Sequence, residues 1–135
     1  MKIKVLAAIF VFSPACFAQQ KDVNIHTSST IGGQSRYEIV QSTLAARWTF
    51  KVDRVCGTIR QLVITKTDEL TWEMMAILEL PKCVADGKIR YQVFSSGLAA
   101  RHTFLINTDT GKTWQIKSTK DTQGNELLMW FPFEN

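Results

Sequence analysis

Histidine and cysteine are the side chains of this sequence best suited to catalysis or metal binding, and they are few and scattered. There are two histidines, His26 and His102, and three cysteines, Cys16, Cys56 and Cys83. A general base must be held beside its substrate, and a metal ion needs ligands that lie close together. The sequence has no Gly-x-Ser-x-Gly motif, no clustered ligand set and no calcium-binding loop. It therefore predicts no enzyme, no metal site and no cofactor.

Residues 1–18 have the organisation of a secretory signal peptide. Two early lysines in "MKIK" precede the apolar run "VLAAIFVF", and "SPACFA" ends in small residues. The apolar run is too short for a membrane span, which needs about 20 residues. We expect cleavage near Ala18 and a periplasmic or secreted mature protein. Cleavage before Cys16, which would give a lipoprotein, is disfavoured by Ser13 and Pro14.

Export leaves Cys56 and Cys83 as an even pair, which predicts a disulfide between them. The bond would contribute about 3 kcal/mol by restricting the unfolded chain. Loss of Lys2 and Lys4 leaves 14 basic and 12 acidic residues, a net charge of +2. Because these charges are interleaved along the chain, we expect no nucleic acid partner.

The mature chain contains an internal repeat, most visible in "STLAARWTF" and "SSGLAARHTF". With an offset of 54, residues 36–66 match residues 90–120 at 13 of 31 positions without a gap. We therefore divide the chain into a signal peptide (1–18), a flexible polar leader (19–35) and one β domain (36–135). The domain comprises repeat 1 (36–89) and repeat 2 (90–135).

Each repeat has the pattern of four antiparallel β-strands. In "RWTFKVD" the side chains of Trp48, Phe50 and Val52 alternate with polar ones, and we expect these three to face the core. By equivalence, His102, Phe104 and Ile106 are expected to face the core in repeat 2. The segments "DRVCGT" and "NTDTGK" predict tight hairpin turns with a glycine at positive φ. The fourth strands, "LTWEMMAILEL" and "ELLMWFPF", are apolar in both phases, which indicates burial on both faces.

The predicted fold class is therefore all-β. We expect two tandem four-stranded antiparallel meanders forming one small barrel or two-sheet sandwich with pseudo-twofold symmetry. Repeats of this size also resemble propeller blades, but two blades cannot close a ring, so a propeller would need several chains. The sequence leaves the oligomeric state open.

Five residues are candidates for a binding surface. Arg47 and Arg101 recur at equivalent positions, as do Tyr37 and Tyr91, and both residue types are favoured as interface anchors. Trp114 replaces an arginine of the first repeat and would be an aromatic contact site if its face is exposed. Pairing within the sheet for the arginines and core packing for the tyrosines are the alternative interpretations.

The motif "RYQVFSSGLAARHTFLINTDTGKTWQIKS" resembles the tandem "RYQIV…TFLLDTxTGxxWQL" units of small exported bacterial proteins of unknown function. The resemblance implies a β-meander fold and a cell-envelope setting, and it supplies no active-site residues. We expect an exported, non-catalytic protein that binds another protein, of the inhibitor, immunity or secretion-accessory type. The alternative is a small-molecule or glycan-binding β-barrel module, which would need a cavity beside Tyr91 or Trp114.

Overall fold

The computed structural model describes residues 33–45, 47–96 and 98–133. These residues form eight β-strands and no helix, and hence no helix capable of crossing a membrane occurs among them. The predicted signal peptide, including Cys16 and Ala18, and leader residues 19–32 with His26 lie outside the described residues.

Each repeat forms one antiparallel four-stranded meander, as predicted. Sheet N has the order β1-β2-β3-β4 and sheet C the order β5-β6-β7-β8, and the two form separate hydrogen-bonded ladders with no closed barrel among the described residues. The strands of sheet N are β1 Tyr37–Gln41, β2 Thr49–Asp53, β3 Ile59–Ile64 and β4 Leu70–Met74. The strands of sheet C are β5 Tyr91–Ser95, β6 Thr103–Asn107, β7 Thr113–Lys120 and β8 Glu126–Phe133.

The turns after β2 and β6 explain the glycines that recur in the repeats. Gly57 and Gly111 have φ values of 75° and 74°, a region that glycine enters without a steric cost. The amide of Gly57 donates to the Asp53 carbonyl at 2.7 Å, and that of Gly111 donates to the Asn107 carbonyl at 2.8 Å. The predicted turn chemistry is confirmed in both copies.

Residues 75–90 link the two sheets. The predicted disulfide between Cys56 and Cys83 is present, with the two Cα atoms 4.7 Å apart. It joins the β2–β3 turn to the linker. Nearer its start the linker runs beside β8, because the Trp130 amide donates to Ala76 and the Leu78 amide donates back to Trp130, both at 3.0 Å. The linker is therefore fastened to both sheets.

The two sheets share one hydrophobic core. Phe50 of sheet N meets Trp130 of sheet C edge to face, with ring centroids 5.9 Å apart. The buried members of the core are Val40, Phe50, Val52, Ile59, Met75, Tyr91, Leu105, Trp114, Ile116 and Trp130.

The repeats bury opposite faces of their sheets, which corrects one expectation. Phe50 and Val52 are buried as predicted, whereas their equivalents Phe104 and Ile106 lie on the other, partly exposed side of sheet C. Leu105, between them, is fully buried instead. His102 is half-buried.

Two substitutions between the repeats account for this inversion. Lys51 and Arg60 lie side by side on β2 and β3, and their equivalents are Leu105 and Trp114. The cations favour exposure of that face of sheet N within a single chain, whereas the apolar pair favours burial of the same face of sheet C in the core. A twofold axis would bring equivalent faces together, so the expected pseudo-twofold symmetry is not confirmed.

Candidate functional site

The predicted binding residues fall into buried and exposed groups. Tyr91 is 3% exposed and Trp114 is completely buried, with their rings 6.4 Å apart. The Trp114 indole N–H donates to the Leu78 carbonyl of the linker at 2.8 Å. Both side chains fill the core, which is the alternative that the sequence offered for the tyrosine.

Arg47 and Arg101 are exposed and precede equivalent strands. The Gln61 side-chain amide donates to the Arg47 carbonyl at 3.3 Å, and Gln115 donates to the Arg101 carbonyl at 3.1 Å. The repeated glutamines thus hold the backbone at both arginines. This leaves the guanidinium groups at the surface, where a partner could reach them.

Tyr37 is about half exposed on the outer side of β1. The guanidinium carbon of Arg36 lies 5.1 Å from its ring centroid and the Lys51 Nζ lies 5.6 Å from it. These distances are those of cation–π contacts. Of the five predicted residues, Tyr37 is the one that lies on an extended apolar surface.

That surface is the side of sheet N that faces away from the core, which we call the N-face. Residues paired across antiparallel strands project to the same side, and the register places Arg60 beside Met74, Leu62 beside Trp72 and Ile64 beside Leu70. The N-face side chains at least partly exposed are the apolar and cationic Tyr37, Ile39, Lys51, Arg60, Leu62, Ile64, Leu70, Trp72 and Met74, and the polar Gln41 and Thr49. A depression of about 220 Å³ between Tyr37, Lys51, Arg60 and Met74 lies on it.

Sheet C also has an apolar outer side, which we call the C-face. Phe94 pairs with Phe104 across β5 and β6, and the rings of Phe104 and Phe133 meet edge to face at 5.4 Å. The C-face side chains at least partly exposed comprise seven apolar ones, Phe94, Phe104, Ile106, Leu127, Met129, Phe131 and Phe133, and five polar or charged ones, Gln92, Thr113, Gln115, Lys117 and Thr119. The four strands are five to eight residues long, so this side of the sheet measures at least about 300 Å² in projection. Exposed apolar patches of a few hundred Å² often mark functional surfaces.

The N-face and C-face residues other than Tyr37 were not among the predicted site residues. The signal that points to them is the apolar character of β8 in both phases and of β4 at Leu70, Trp72 and Met74. The sequence analysis interpreted the longer segments around these strands as buried on both faces. One face is in fact exposed, with Leu70 68% and Phe133 42% accessible.

A cleft of about 480 Å³ opens where the two sheets diverge. It lies between the inner side of the β3–β4 hairpin and the ends of β7 and β8. Its charged and aromatic lining comprises Arg47, Trp48, Glu73 and Glu126. The volume falls in the range of small-molecule sites, and the lining offers both signs of charge beside one indole.

The arginines that open the two repeats have structural partners. Arg36 donates to both carboxylate oxygens of Asp53, the shorter contact being 2.8 Å. Arg90 contacts Asp86 at 2.6 Å and Asp109 at 3.4 Å. Their recurrence therefore reflects ion pairs within the domain.

Asp53 is the buried carboxylate of this network. Burial alone would raise the pKa of its carboxyl, but hydrogen bonds from Arg36 and from the Val55 and Cys56 amides outweigh burial. The pKa of Asp53 therefore lies below its ordinary value. Asn107, at the equivalent position, accepts the same two turn amides without a charge.

No group of three or more histidine, cysteine, aspartate or glutamate side chains in the described part of the chain could hold a metal ion. No protein-family model matches the sequence, and comparisons with curated proteins and with solved structures find no match.

Proposed function

We propose that this chain is an exported, non-catalytic β-protein that binds another protein in the periplasm or outside the cell. It would act as an inhibitor, an immunity protein or a secretion accessory. The observation that carries the proposal is the pair of exposed apolar faces on opposite sides of the domain. The Cys56–Cys83 disulfide is compatible with an oxidising, exported location.

The composition of the two faces supports protein binding. Protein interfaces are enriched in aromatic residues, methionine and arginine, and their centres are depleted of carboxylates. The N-face combines Trp72, Met74 and Arg60, and the C-face presents several phenylalanines. Asp53 is the only carboxylate at an outward-facing strand position of either sheet among the described residues, and it is paired with Arg36.

Photo-crosslinking in cells that export the protein tests this proposal. A photoreactive amino acid replaces Ile64 on the N-face or Phe94 on the C-face, which are 67% and 62% exposed. The matched control position is Leu98, which is 90% exposed and lies outside the strands. We expect discrete protein adducts from Ile64, Phe94 or both, and none from Leu98. Absence of adducts from both faces, or the same adducts from all three positions, would contradict the proposal.

The cleft favours a second function, the binding of a small molecule or a glycan. Arg47 and Trp48 offer the cation and the aromatic surface that such ligands use, and Glu73 and Glu126 add hydrogen-bond acceptors. A glycan array probed with the oxidised protein and with an Arg47→Ala, Trp48→Ala variant tests it. Specific binding that the variant loses supports this function, and binding retained by the variant places any ligand elsewhere.

A further inference from the structure

The N-face consists of the repeat 1 positions that are equivalent to the buried face of sheet C in repeat 2. Tyr37 is the equivalent of Tyr91, and Leu62 is the equivalent of Ile116. Leu62 pairs with Trp72 as Ile116 pairs with Trp130, so the two tryptophans are also equivalent. Several of the side chains that sheet C buries are therefore presented again, to solvent, by sheet N, with Lys51 and Arg60 in place of Leu105 and Trp114.

The C-face, in turn, repeats the face of sheet N that is buried. Phe104 and Ile106 are the equivalents of Phe50 and Val52, which are 1% and 0% exposed. The protein thus exposes a second copy of each of the two surfaces that pack together inside it. The two exposed copies lie on different sheets and face away from each other.

From this repetition, and on the basis of the protein binding proposed above, we propose that the partner is a second copy of this chain. The C-face of one copy docks on the N-face of the next, in the arrangement that sheets N and C adopt within one chain. Phe104 of one copy then lies against Trp72 of the next, as Phe50 lies against Trp130 at 5.9 Å. The contact joins two different faces, so it is head-to-tail and continues until a ring closes.

The two cations of the N-face fit this arrangement. Lys51 and Arg60 border the N-face depression, at the positions where sheet C has Leu105 and Trp114. In sheet C that region is covered by the linker, whose Leu78 carbonyl accepts from Trp114. At the N-face the cations would meet the aromatic rings of the C-face, for which Phe94 and Phe104 supply exposed π surface.

A closed ring explains why β8 is apolar in both phases and why β4 places Leu70, Trp72 and Met74 on its outer side. Face-to-face packing of successive four-stranded sheets is the architecture of a β-propeller, which has about four to eight sheets. Two sheets per chain correspond to about two to four copies in a closed ring. Each sheet in such a ring is covered on both sides.

Sedimentation velocity and native mass spectrometry of the oxidised, signal-free protein over a range of concentrations test the proposal. We expect a discrete oligomer that dissociates on dilution. Ile64→Glu disables the N-face and Phe94→Glu disables the C-face, and each variant alone should remain monomeric. The control Leu98→Glu, a matched change away from both faces, should assemble like the unchanged protein.

Mixing the two face variants is the decisive measurement. The Ile64→Glu chain keeps an intact C-face and the Phe94→Glu chain keeps an intact N-face, so the mixture should form a one-to-one dimer and nothing larger. Circular dichroism and urea unfolding establish that each variant is folded, and Leu70→Glu with Leu127→Glu form a second pair. A mixture that stays monomeric, loss of assembly in one face variant only, or a monomeric unchanged protein would overturn the proposal.

The crosslinking experiment separates failure of this inference from failure of the proposed function. Adducts between two copies of the chain through Ile64 and Phe94 support self-assembly. Adducts that contain only other proteins overturn self-assembly and leave the proposed function in place. No protein adduct from either face overturns both.

Discussion

The contact between Gly57 and Tyr91 allows a direct test of how the two sheets pack. A Cβ atom added at Gly57 would lie 2.7 Å from one Tyr91 ring carbon and within 2.9 Å of two others. The ring cannot easily move away, because Tyr91 is buried and packs against Trp114. At Gly111, the equivalent glycine with nearly the same φ, a Cβ would meet nothing within 4 Å. The two glycines therefore separate backbone strain from a clash between repeats.

The expected losses in the free energy of unfolding follow from the backbone strain at each glycine and from the clash with Tyr91. Alanine at a positive φ costs about 1 kcal/mol, and forcing a methyl group into a packed core costs about 2 kcal/mol more. Gly111→Ala should therefore lower the free energy of unfolding by about 1 kcal/mol and Gly57→Ala by about 3 kcal/mol. In a domain of this size the corresponding losses in Tm are about 5 °C and at least about 12 °C.

Urea and thermal unfolding of the oxidised variants measure both costs. In a Tyr91→Leu background the approaching ring carbons are absent, so Gly57→Ala should then cost about as much as Gly111→Ala. Equal costs of the two glycine substitutions with Tyr91 in place would refute the reasoning. That result would mean that the repeat 1 turn does not rest on Tyr91.

Three further perturbations have defined outcomes. Because the pKa of Asp53 is lowered on folding, its charge stabilises the fold above about pH 4, and this contribution is lost as the pH falls further. Asp53→Asn should therefore cost about 1 kcal/mol near neutral pH and less in acid, where the carboxyl becomes protonated, in urea unfolding at each pH. Reduction of the Cys56–Cys83 bond should cost about 3 kcal/mol, measured with and without reductant. Trp130→Ala should cost about 3 to 5 kcal/mol, whereas Trp72→Ala should cost about 1 kcal/mol in the monomer because its side chain is already partly exposed.

Each of these three predictions has an outcome that would contradict it. A cost of Asp53→Asn that is the same near neutral pH and in acid would show that the charge is not what stabilises the turn. Unchanged stability on reduction would mean that the linker is held by its other contacts alone. If Trp130→Ala and Trp72→Ala lowered the free energy of unfolding by similar amounts at a concentration where the protein is monomeric, the assignment of Trp130 to the core and of Trp72 to the exposed N-face would be contradicted.

The local structure of this domain was predictable from sequence, whereas the choice of buried face was not. Strand alternation and an Asp or Asn four residues before Gly57 and Gly111 define the strands and turns, because these signals act within a few residues. The buried face depends on contacts between strands far apart in the sequence. Phe104 looked like a core residue because Phe50 is one, and only the packed structure shows that Leu105 takes its place.

The two exposed faces were missed for a related reason. Trp114 was a candidate contact site on the condition that its face is exposed, but its indole is buried and donates to the Leu78 carbonyl of the linker. No spacing in the sequence indicates that the linker crosses this face. The sequence shows the apolar residues of the N-face, but their exposure becomes evident only when the opposite face is known to be the buried one.

The position of the disulfide determines how copies of the chain can exchange parts. Eight residues lead from Cys83 to the start of β5 at Tyr91, a reach of at most about 28 Å. In the oxidised chain, sheet C therefore stays close to the sheet N of its own chain, so domain swapping through an opened linker is hindered. Once the bond is reduced, the whole linker can extend and sheet C can pack on another copy. Protein produced in a reducing cytosol can therefore form domain-swapped dimers through the core interface. Such dimers would be mistaken for association through the outer faces. Association through the outer faces should therefore be measured with the oxidised protein.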